Sequence, residues 1–329
     1  MKTIRWGIIG CGNVTEIKSG PGFQKATNSA LVAVMRRNAA LAEDYARRHG
    51  VPKWYPDAQA LIADPEVDAV YVATPPASHI EYALACARAG KPVYVEKPMA
   101  RNLAECETMI AACAAADVPL FVAYYRRALP RFLKVKELLT SGAIGEVRFV
   151  RVLLLRRAAA DEADPATRPW RLIPEISGGG HFLDIGSHEL DFLVYALGPI
   201  RTVHGFAANQ GGLYEAEDAV TAAFEFASGV QGTGTWNFVS HGNADVIEFV
   251  GDRGVIAFSC YGADPIMLTT PAGVTPIAAE TPAHVQQPMI QTIVDELNGV
   301  GQCPSTGITA ARTTWVMDEV LKDYRARRG

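Results

Sequence analysis

The sequence predicts an α/β protein in which a doubly wound parallel sheet is followed by a second domain with a mostly antiparallel sheet. In residues 1–123, short apolar strands alternate with helical periodicity, which is typical of a parallel sheet covered by helices on both faces. After residue 219 the pattern becomes a two-residue alternation with tight turns, which favours antiparallel strands. A chain of 329 residues also exceeds the usual size of a single core. We therefore predict domains at residues 1–123 and 124–329.

The elements of the first domain follow from apolar runs and from residues that begin or end helices. Strands are predicted at Ile4–Ile9, Ala30–Met35, Ala69–Ala73, Pro92–Val95 and Leu120–Ala123. Helices are predicted at Ala39–His49, His79–Ala89 and Leu103–Ala116. Asn38 and Asn102 are suitable N-caps, while Gly50 and Gly90 supply left-handed helix ends.

The second domain has a different order of predicted helices and strands. Helices are predicted at Pro130–Ser141, His181–Leu197, Met289–Asn298 and Thr309–Arg325. Strands are predicted at Val147–Leu155, Ala219–Phe226, Val230–Phe238, Val246–Val250 and Gly254–Phe258. Residues 156–177 form a long polar loop, and a loop of that length inside a compact domain is usually a lid or a binding loop.

Composition argues against several classes of function. The formal net charge is −4 and the basic runs are short, so electrostatics give no case for binding nucleic acid or an anionic membrane surface. No apolar stretch has the length of a membrane span, and the first strand begins too close to Met1 for a signal peptide. The six cysteines show no paired spacing, so we expect reduced, mostly buried thiols and a cytoplasmic protein.

The first strand runs into a glycine turn of the kind that receives a dinucleotide. Gly10 permits a tight turn, and Gly12 lets the backbone approach a pyrophosphate, with Asn13 and Val14 opening a helical segment. The third position is Thr15 rather than glycine, so the motif is incomplete, and such turns also occur for steric reasons alone. Its place in an alternating α/β region favours a dinucleotide site.

The end of the second strand indicates which dinucleotide binds. A carboxylate at this place accepts from the 2′-hydroxyl of NAD, whereas arginine accommodates the 2′-phosphate of NADP. The sequence has Arg36 and Arg37 here and no acid. We therefore predict NADP; if the two arginines are only a solvated loop, NAD remains possible.

Two further turns lie at the same edge of the predicted sheet. Thr74 follows the third strand and His79 opens the next helix, so both are candidates for cofactor contact, although a structural role alone explains this turn. Glu96 and Lys97 end the fourth strand, at the edge where open parallel sheets bind ligands. A nicotinamide cation beside Lys97 would lower the pKa of the lysine toward a useful range for proton transfer. The alternative is an ordinary surface Glu–Lys pair.

A second constellation follows the glycine run Gly178–Gly180. Asp184 and His188 are four residues apart, which places them on one helical face. The pair has three possible roles. It can bind and deprotonate a substrate hydroxyl, with the carboxylate orienting the imidazole. It can ligate a metal ion, but the sequence offers no third ligand nearby, so we predict no metal site. It can also be a buried structural acid beside a packed histidine.

Together, the glycine turn, Glu96-Lys97-Pro98 and the run from Gly178 to His188 resemble the glucose–fructose oxidoreductase/inositol dehydrogenase/rhizopine-catabolism (Gfo/Idh/MocA) family. The resemblance extends over essentially the whole chain. It implies a Rossmann domain followed by an α/β domain whose open-faced, mostly antiparallel sheet forms dimer or tetramer contacts. It also implies NAD(P)-dependent oxidation or reduction of a sugar, cyclitol or related polyol.

The resemblance also implies roles for individual residues. Lys97 matches the family's catalytic lysine, while Asp184 and His188 match the acid and histidine of its second motif and are expected to contact substrate. Residues implied to lie near cofactor or substrate are Tyr125, Arg126, Trp170 and Arg171. Arg36 stands where many relatives have the ribose-binding aspartate, which departs from the NAD pattern.

The predicted function is a reversible NADP-dependent oxidoreductase of a sugar or polyol. Two other functions remain open from the sequence. One is an enzyme that retains its cofactor and cleaves a glycosidic bond through transient oxidation. The other is a non-catalytic NADP-binding sensor, which would need none of Lys97, Asp184 and His188.

Overall fold

The computed structural model describes residues 1–328, which form two compact units. The first contains Met1–Leu129 and Pro282–Ala311, and the second contains Pro130–Thr281 and the chain from Arg312 onward. This division differs from the predicted single boundary between residues 123 and 124, because the chain returns to the first unit after residue 281.

The strands and helices are numbered here in chain order. The strands are β1 Ile4–Ile9, β2 Ser29–Met35, β3 Lys53–Tyr55, β4 Ala69–Val72, β5 Val93–Val95, β6 Leu120–Val122, β7 Val147–Leu155, β8 Ile200–Ala208, β9 Ala219–Phe226, β10 Gln231–Asn237, β11 Ala244–Gly251, β12 Val255–Phe258, β13 Ile266–Thr270 and β14 Gly273–Ile277. The helices are α1 Asn13–Ile17, α2 Gly20–Lys25, α3 Ala39–His49, α4 Ala58–Ala63, α5 His79–Arg88, α6 Leu103–Ala115, α7 Pro130–Thr140, α8 Pro174–Ser177, α9 Ser187–Leu197, α10 Gln287–Leu297 and α11 Gly307–Ala326.

The first unit contains a parallel six-stranded sheet in the order β3-β2-β1-β4-β5-β6. The strand order reverses between β1 and β4, and in such sheets ligands bind at the carboxyl ends of the strands beside this point. Apolar side chains cover both faces of the sheet. The doubly wound fold predicted from the sequence is therefore confirmed.

The elements of the first unit that were not predicted include strand β3 and its neighbour, helix α4. Strand β3 is only three residues long, and Trp54 at its centre is 37% exposed, so this edge strand has no continuous apolar run. Helix α4 is a short six-residue segment capped by the Asp57 side chain.

The second unit contains an eight-stranded sheet in the order β14-β13-β12-β11-β7-β10-β9-β8. Neighbouring strands are antiparallel except β7 and β10, which are parallel. This confirms the predicted, mostly antiparallel second sheet. Strands β8, β13 and β14 were not predicted; β14, for example, is exposed at every residue but the half-buried Ile277, so it lacks an apolar face.

Helices α7 and α9 pack on one face of this sheet. The ring of Phe192 on α9 contacts Phe132 on α7 and the sheet residues Phe249 and Phe258. The strands alternate buried and exposed residues, and Phe206 on β8 is 81% exposed. Among the residues that the structure describes, no helix has both the length and the apolar character needed to cross a bilayer.

Candidate functional site

The glycine turn after β1 is held against the end of β2. The backbone N–H groups of Gly10 and Cys11 both donate to the Met35 carbonyl oxygen. Gly10 has φ +89°, and a Cβ atom here would lie 2.7 Å from Thr74 Cγ2. A side chain at Gly10 would therefore combine backbone strain with a steric clash.

Thr15 explains why the third glycine of the motif is absent. Its Oγ1 accepts from the Gly12 N–H at 2.9 Å and donates to the Gly12 carbonyl oxygen at 2.8 Å. The side chain is fully buried, and its carbonyl oxygen accepts from the Tyr45 hydroxyl. A threonine thus closes this turn through its own hydroxyl.

Gly12 leaves open space beside the backbone. A Cβ atom at Gly12 would have the Gly10 carbonyl oxygen, at 3.8 Å, as its only near neighbour. Asn13 is exposed and Val14 is half-buried. An open surface beside a glycine at this edge of the sheet fits the close approach of a dinucleotide pyrophosphate.

Arg36 and Arg37 follow β2 directly and are both exposed. Across residues 1–328, neither guanidinium has a carboxylate within ion-pair distance. Burial raises the pKa of the Cys11 thiol to about 11, while the positive charge of Arg36 acts in the opposite direction, which indicates that this charge lies near the glycine turn. The position therefore offers unneutralised positive charge.

The nearby acids are engaged by other arginines. Arg48 forms ion pairs with Glu16 at 2.8 Å and Asp44 at 2.7 Å, and Arg47 pairs with Asp44 at 2.6 Å. No carboxylate follows β2 directly in the sequence.

Glu96 anchors the backbone of Lys97 at the end of β5. Its Oε1 accepts from the Tyr71 hydroxyl at 2.5 Å and from Gln286 Nε2 at 2.6 Å, and its Oε2 accepts from the Lys97 N–H at 3.0 Å. The amide of Gln286 also accepts from the Tyr94 hydroxyl at 2.9 Å. Because Glu96 is buried and held by these bonds, it serves to fix the chain from which Lys97 projects.

Gln286 is the residue of this network that sequence reasoning missed. It is fully buried, yet it lies 190 residues from Glu96 in the sequence. A single glutamine before a helix has no motif that would mark it.

His79 has a structural place in the first unit. Its Nε2 lies 2.7 Å from the Thr74 carbonyl oxygen and its Nδ1 lies 3.1 Å from the Met99 carbonyl oxygen. Burial lowers the pKa of the imidazole, which is fully enclosed. The ring therefore ties two turns together, and it has no accessible nitrogen for the cofactor contact expected from the sequence. Thr74 itself is half-buried, and its hydroxyl accepts from Ser78.

Tyr125 and Arg126 follow β6. The guanidinium of Arg126 lies 5.2 Å from the centre of the Tyr125 ring, and Arg126 is buried. This stacking fixes both side chains at the carboxyl edge of the sheet.

In the second unit, the glycine run lets the chain pass close to a loop. A Cβ atom at Gly180 would lie 2.6 Å from the Glu217 carbonyl oxygen, and the Gly180 N–H donates to Glu217 Oε1 at 2.8 Å. The next turn, Phe182–Gly186, is π-helical rather than α-helical and leads into α9. Such turns occur frequently at functional sites.

Asp184 in the π-helical turn pairs with the long loop. Arg171 Nε lies 3.1 Å from Asp184 Oδ2, and its guanidinium stacks on Trp170 with 4.5 Å to the ring centre. The structure thus brings Trp170 and Arg171 to the carboxylate predicted to act on substrate.

His188 is 3% exposed and stands edge-to-face with Tyr261, with 6.4 Å between ring centres. The Tyr261 hydroxyl donates to the Ile185 carbonyl oxygen at 2.5 Å. Tyr261 was not found from the sequence, because it lies in an unremarkable loop after β12. Its contacts place it against both the π-helical turn and the candidate histidine.

Glu217 gives a testable dependence of stability on pH. Burial raises the pKa of this carboxyl from 4.5 to about 7. A folded-state pKa above the unfolded value means that stability falls as pH rises from about 4.5 to 7 and then levels off. We expect Glu217→Gln to raise the free energy of unfolding at pH 8 by up to about 3 kcal/mol and to have little effect near pH 4.5.

Urea unfolding at the two pH values measures this difference. Glu215→Gln is the matched control, because Glu215 is exposed two residues away. Equal effects of Glu217→Gln at both pH values would contradict the assignment.

Comparisons with known proteins match both units. The family model described as "Oxidoreductase family, NAD-binding Rossmann fold" matches residues 4–124, and the one described as "GFO/IDH/MocA C-terminal domain" matches residues 132–257. Oxidoreductase P35 of Formosa agariphila is 41% identical over 96% of this chain and 97% of its own length. 1,5-Anhydro-D-fructose reductase of Ensifer adhaerens is 33% identical over 69% of this chain and 67% of its own.

A solved structure is similar over nearly the whole chain. Aldose-aldose oxidoreductase from Caulobacter crescentus, complexed with glycerol, superposes with a TM-score of 0.87 at 25% identity, covering 99% of this chain and 98% of that one.

Proposed function

Because this chain belongs to the Gfo/Idh/MocA family of oxidoreductases, we propose that it catalyses NADP-dependent oxidation or reduction of a sugar, cyclitol or related polyol. The match of the Rossmann family model supports a nicotinamide dinucleotide as the cofactor, which when bound supplies or accepts a hydride. The names of the relatives, such as the anhydrofructose reductase, support a carbohydrate substrate.

The observation that favours NADP is the unneutralised charge after β2. Arg36 and Arg37 lack carboxylate partners within residues 1–328, while Arg47 and Arg48 are paired. Two free guanidiniums suit a 2′-phosphate, and no acid follows β2 to accept from a 2′-hydroxyl.

We expect Arg36→Ala to weaken NADPH binding by roughly 10- to 100-fold, because a charge-assisted hydrogen bond is lost. NADH binding should be unchanged or improved, since no phosphate is involved. Titration of each variant with NADPH and NADH, followed by fluorescence, measures both constants. Arg47→Ala is the matched control, because that exposed arginine already pairs with Asp44. Equal loss for both cofactors in Arg36→Ala would overturn the preference for NADP.

The proposed roles of the residues follow from the match of Lys97, Asp184 and His188 to the family's motifs. In oxidation, His188 accepts the proton of the substrate hydroxyl, and Lys97 and Asp184 hold and polarise that alcohol. In reduction, His188 returns the proton, and Lys97 stabilises the negative charge that develops on oxygen. Glu96 positions Lys97 through its backbone N–H, and Arg171 orients Asp184.

We also propose that the chain assembles into a homodimer or homotetramer through the open face of the second sheet. Phe206 is 81% exposed on this face and pairs across the ladder with Thr221, while the neighbouring His204 pairs with Ala223. An exposed aromatic side chain beside small residues suits contact with another copy. Light scattering of wild type and Phe206→Lys measures the assembly, and a wild-type monomer would contradict this proposal. We also propose a cytoplasmic location, because all six cysteines are buried and none forms a disulfide bond.

A further inference from the structure

A polar pocket of about 530 Å³ lies within the second unit, where β7 ends beside the loop after β12. The side chains that matter here are those of Arg156, Arg157, Asp245, Tyr261 and Asp264. Arg156 and Arg157 begin the loop of residues 156–177 that the sequence predicts as a lid or binding loop, whereas Asp245, Tyr261 and Asp264 belong to none of the motifs described above.

The two arginines bring positive charge that no ion pair within the described residues engages. The Arg156 guanidinium stacks on Tyr261 at 4.9 Å, and Arg157 Nε donates to the His241 carbonyl oxygen. In the described part of the chain, neither has a carboxylate within ion-pair distance.

The carboxylate of Asp245 is held by donors other than Arg156 and Arg157. Asp245 accepts from the Ser259 hydroxyl and from the backbone N–H groups of Cys260, at 2.9 Å, and Tyr261, at 2.7 Å. The buried guanidinium of Arg131 faces the charges of Asp245 and Asp264, which act to raise its pKa against the effect of burial. Within the described residues, Arg156 and Arg157 form no ion pair with either acid.

Arg156 is also connected to the candidate histidine. Tyr261, on which Arg156 stacks, stands edge-to-face with His188 and donates to the carbonyl oxygen of Ile185, next to Asp184. The Tyr261 ring thus contacts both the Arg156 guanidinium and His188, the group proposed to accept the substrate proton.

We propose that the substrate has an anionic substituent, a carboxylate or a sulfate or phosphate ester, and that the Arg156 guanidinium binds it. This inference rests on the proposed function, because it takes His188 as the group beside the reacting carbon. Guanidinium presents a planar array of donors that matches such oxyanions, and stacking on Tyr261 fixes the orientation of that plane. Arg157 adds positive charge to the same pocket.

The test compares matched anionic and neutral sugars in the full-length protein. The pairs are glucuronate with glucose, galacturonate with galactose, and glucose 6-sulfate and glucose 6-phosphate with glucose. We expect wild type to prefer one anionic class in kcat/KM, and Arg156→Met to lower that value by roughly 10- to 150-fold while leaving the neutral sugar unchanged. Arg156→Lys should restore part of the preference, because it retains the charge without the planar array.

The control variant is Arg148→Gln, at the other end of the same strand. Arg148 is exposed and pairs with Glu146 at 2.8 Å, so its removal should leave the preference unchanged. The carboxylate and ester pairs show which anion the pocket takes. Turnover of neutral sugars as fast as their anionic partners, or an equal loss for both in Arg156→Met, overturns the inference.

A binding measurement keeps this inference separate from the proposed function. Calorimetric titration of wild type and Arg156→Met with the same anionic sugars needs no turnover. Binding that depends on Arg156 without any turnover supports the anion site and counts against the proposed reaction. Absence of binding that depends on Arg156 overturns the anion site, whether or not neutral sugars react.

Discussion

Lys97→Ala and His188→Ala are each expected to lower kcat by about 10²–10⁴-fold, because each removes a positioned group that handles a proton or its charge. Cofactor affinity should survive in both variants, since the glycine turn and the arginines after β2 are untouched. Steady-state turnover with a sugar substrate, together with a fluorescence titration of NADPH, separates the two effects.

Lys134→Ala is the matched control for the lysine, because Lys134 lies on the surface of α7 and pairs with Glu137. Turnover close to wild type in Lys97→Ala or His188→Ala would refute the assigned role. Loss of cofactor binding together with turnover would place Lys97 in cofactor binding instead.

The second large effect is expected at the glycine turn, where Gly12 and Gly10 form a natural pair of tests. Gly12→Ala should leave the free energy of unfolding unchanged, because its Cβ would have no neighbour nearer than 3.8 Å. It should weaken cofactor binding by roughly 10-fold or more, because the added methyl group occupies the space into which a pyrophosphate would fit and costs a charge-assisted hydrogen bond.

Gly10→Ala should lower the free energy of unfolding as well. Its φ of +89° costs a residue with a Cβ about 1–2 kcal/mol, and the contact with Thr74 adds to this. Urea unfolding and NADPH titration of both variants give the comparison. If Gly12→Ala binds NADPH as tightly as wild type does, the pyrophosphate does not lie at this turn.

The sequence predicted the position of a candidate site residue well where that residue directly follows an apolar strand. Lys97 stands at the end of an apolar strand, and Arg36 follows another, so both could be placed on the sheet edge before the structure was known. The two sheets were also predictable, because the apolar residues of their strands follow a recognisable pattern, continuous in the first sheet and alternating in the second.

Contacts between residues far apart in the sequence were not predictable. The bond from Gln286 to Glu96 joins positions 190 residues apart, and that from Tyr261 to Ile185 joins positions 76 apart. The ion pair of Arg171 with Asp184 likewise depends on the path of a long loop. Edge strands such as β3 were missed because an exposed strand needs no apolar run.

The return of residues 282–311 to the first unit has a consequence for how the protein is made. The Val122 N–H donates to the Ser305 carbonyl oxygen, and the Ser305 hydroxyl donates to the Val122 carbonyl oxygen. Glu96 likewise obtains one of its donors from Gln286. A ribosome synthesises Ser305 only 183 residues after Val122, and Gln286 only 190 residues after Glu96. The Rossmann unit, although its strands are encoded first, therefore cannot complete these buried polar bonds until residues 130–281 of the second unit have been synthesised.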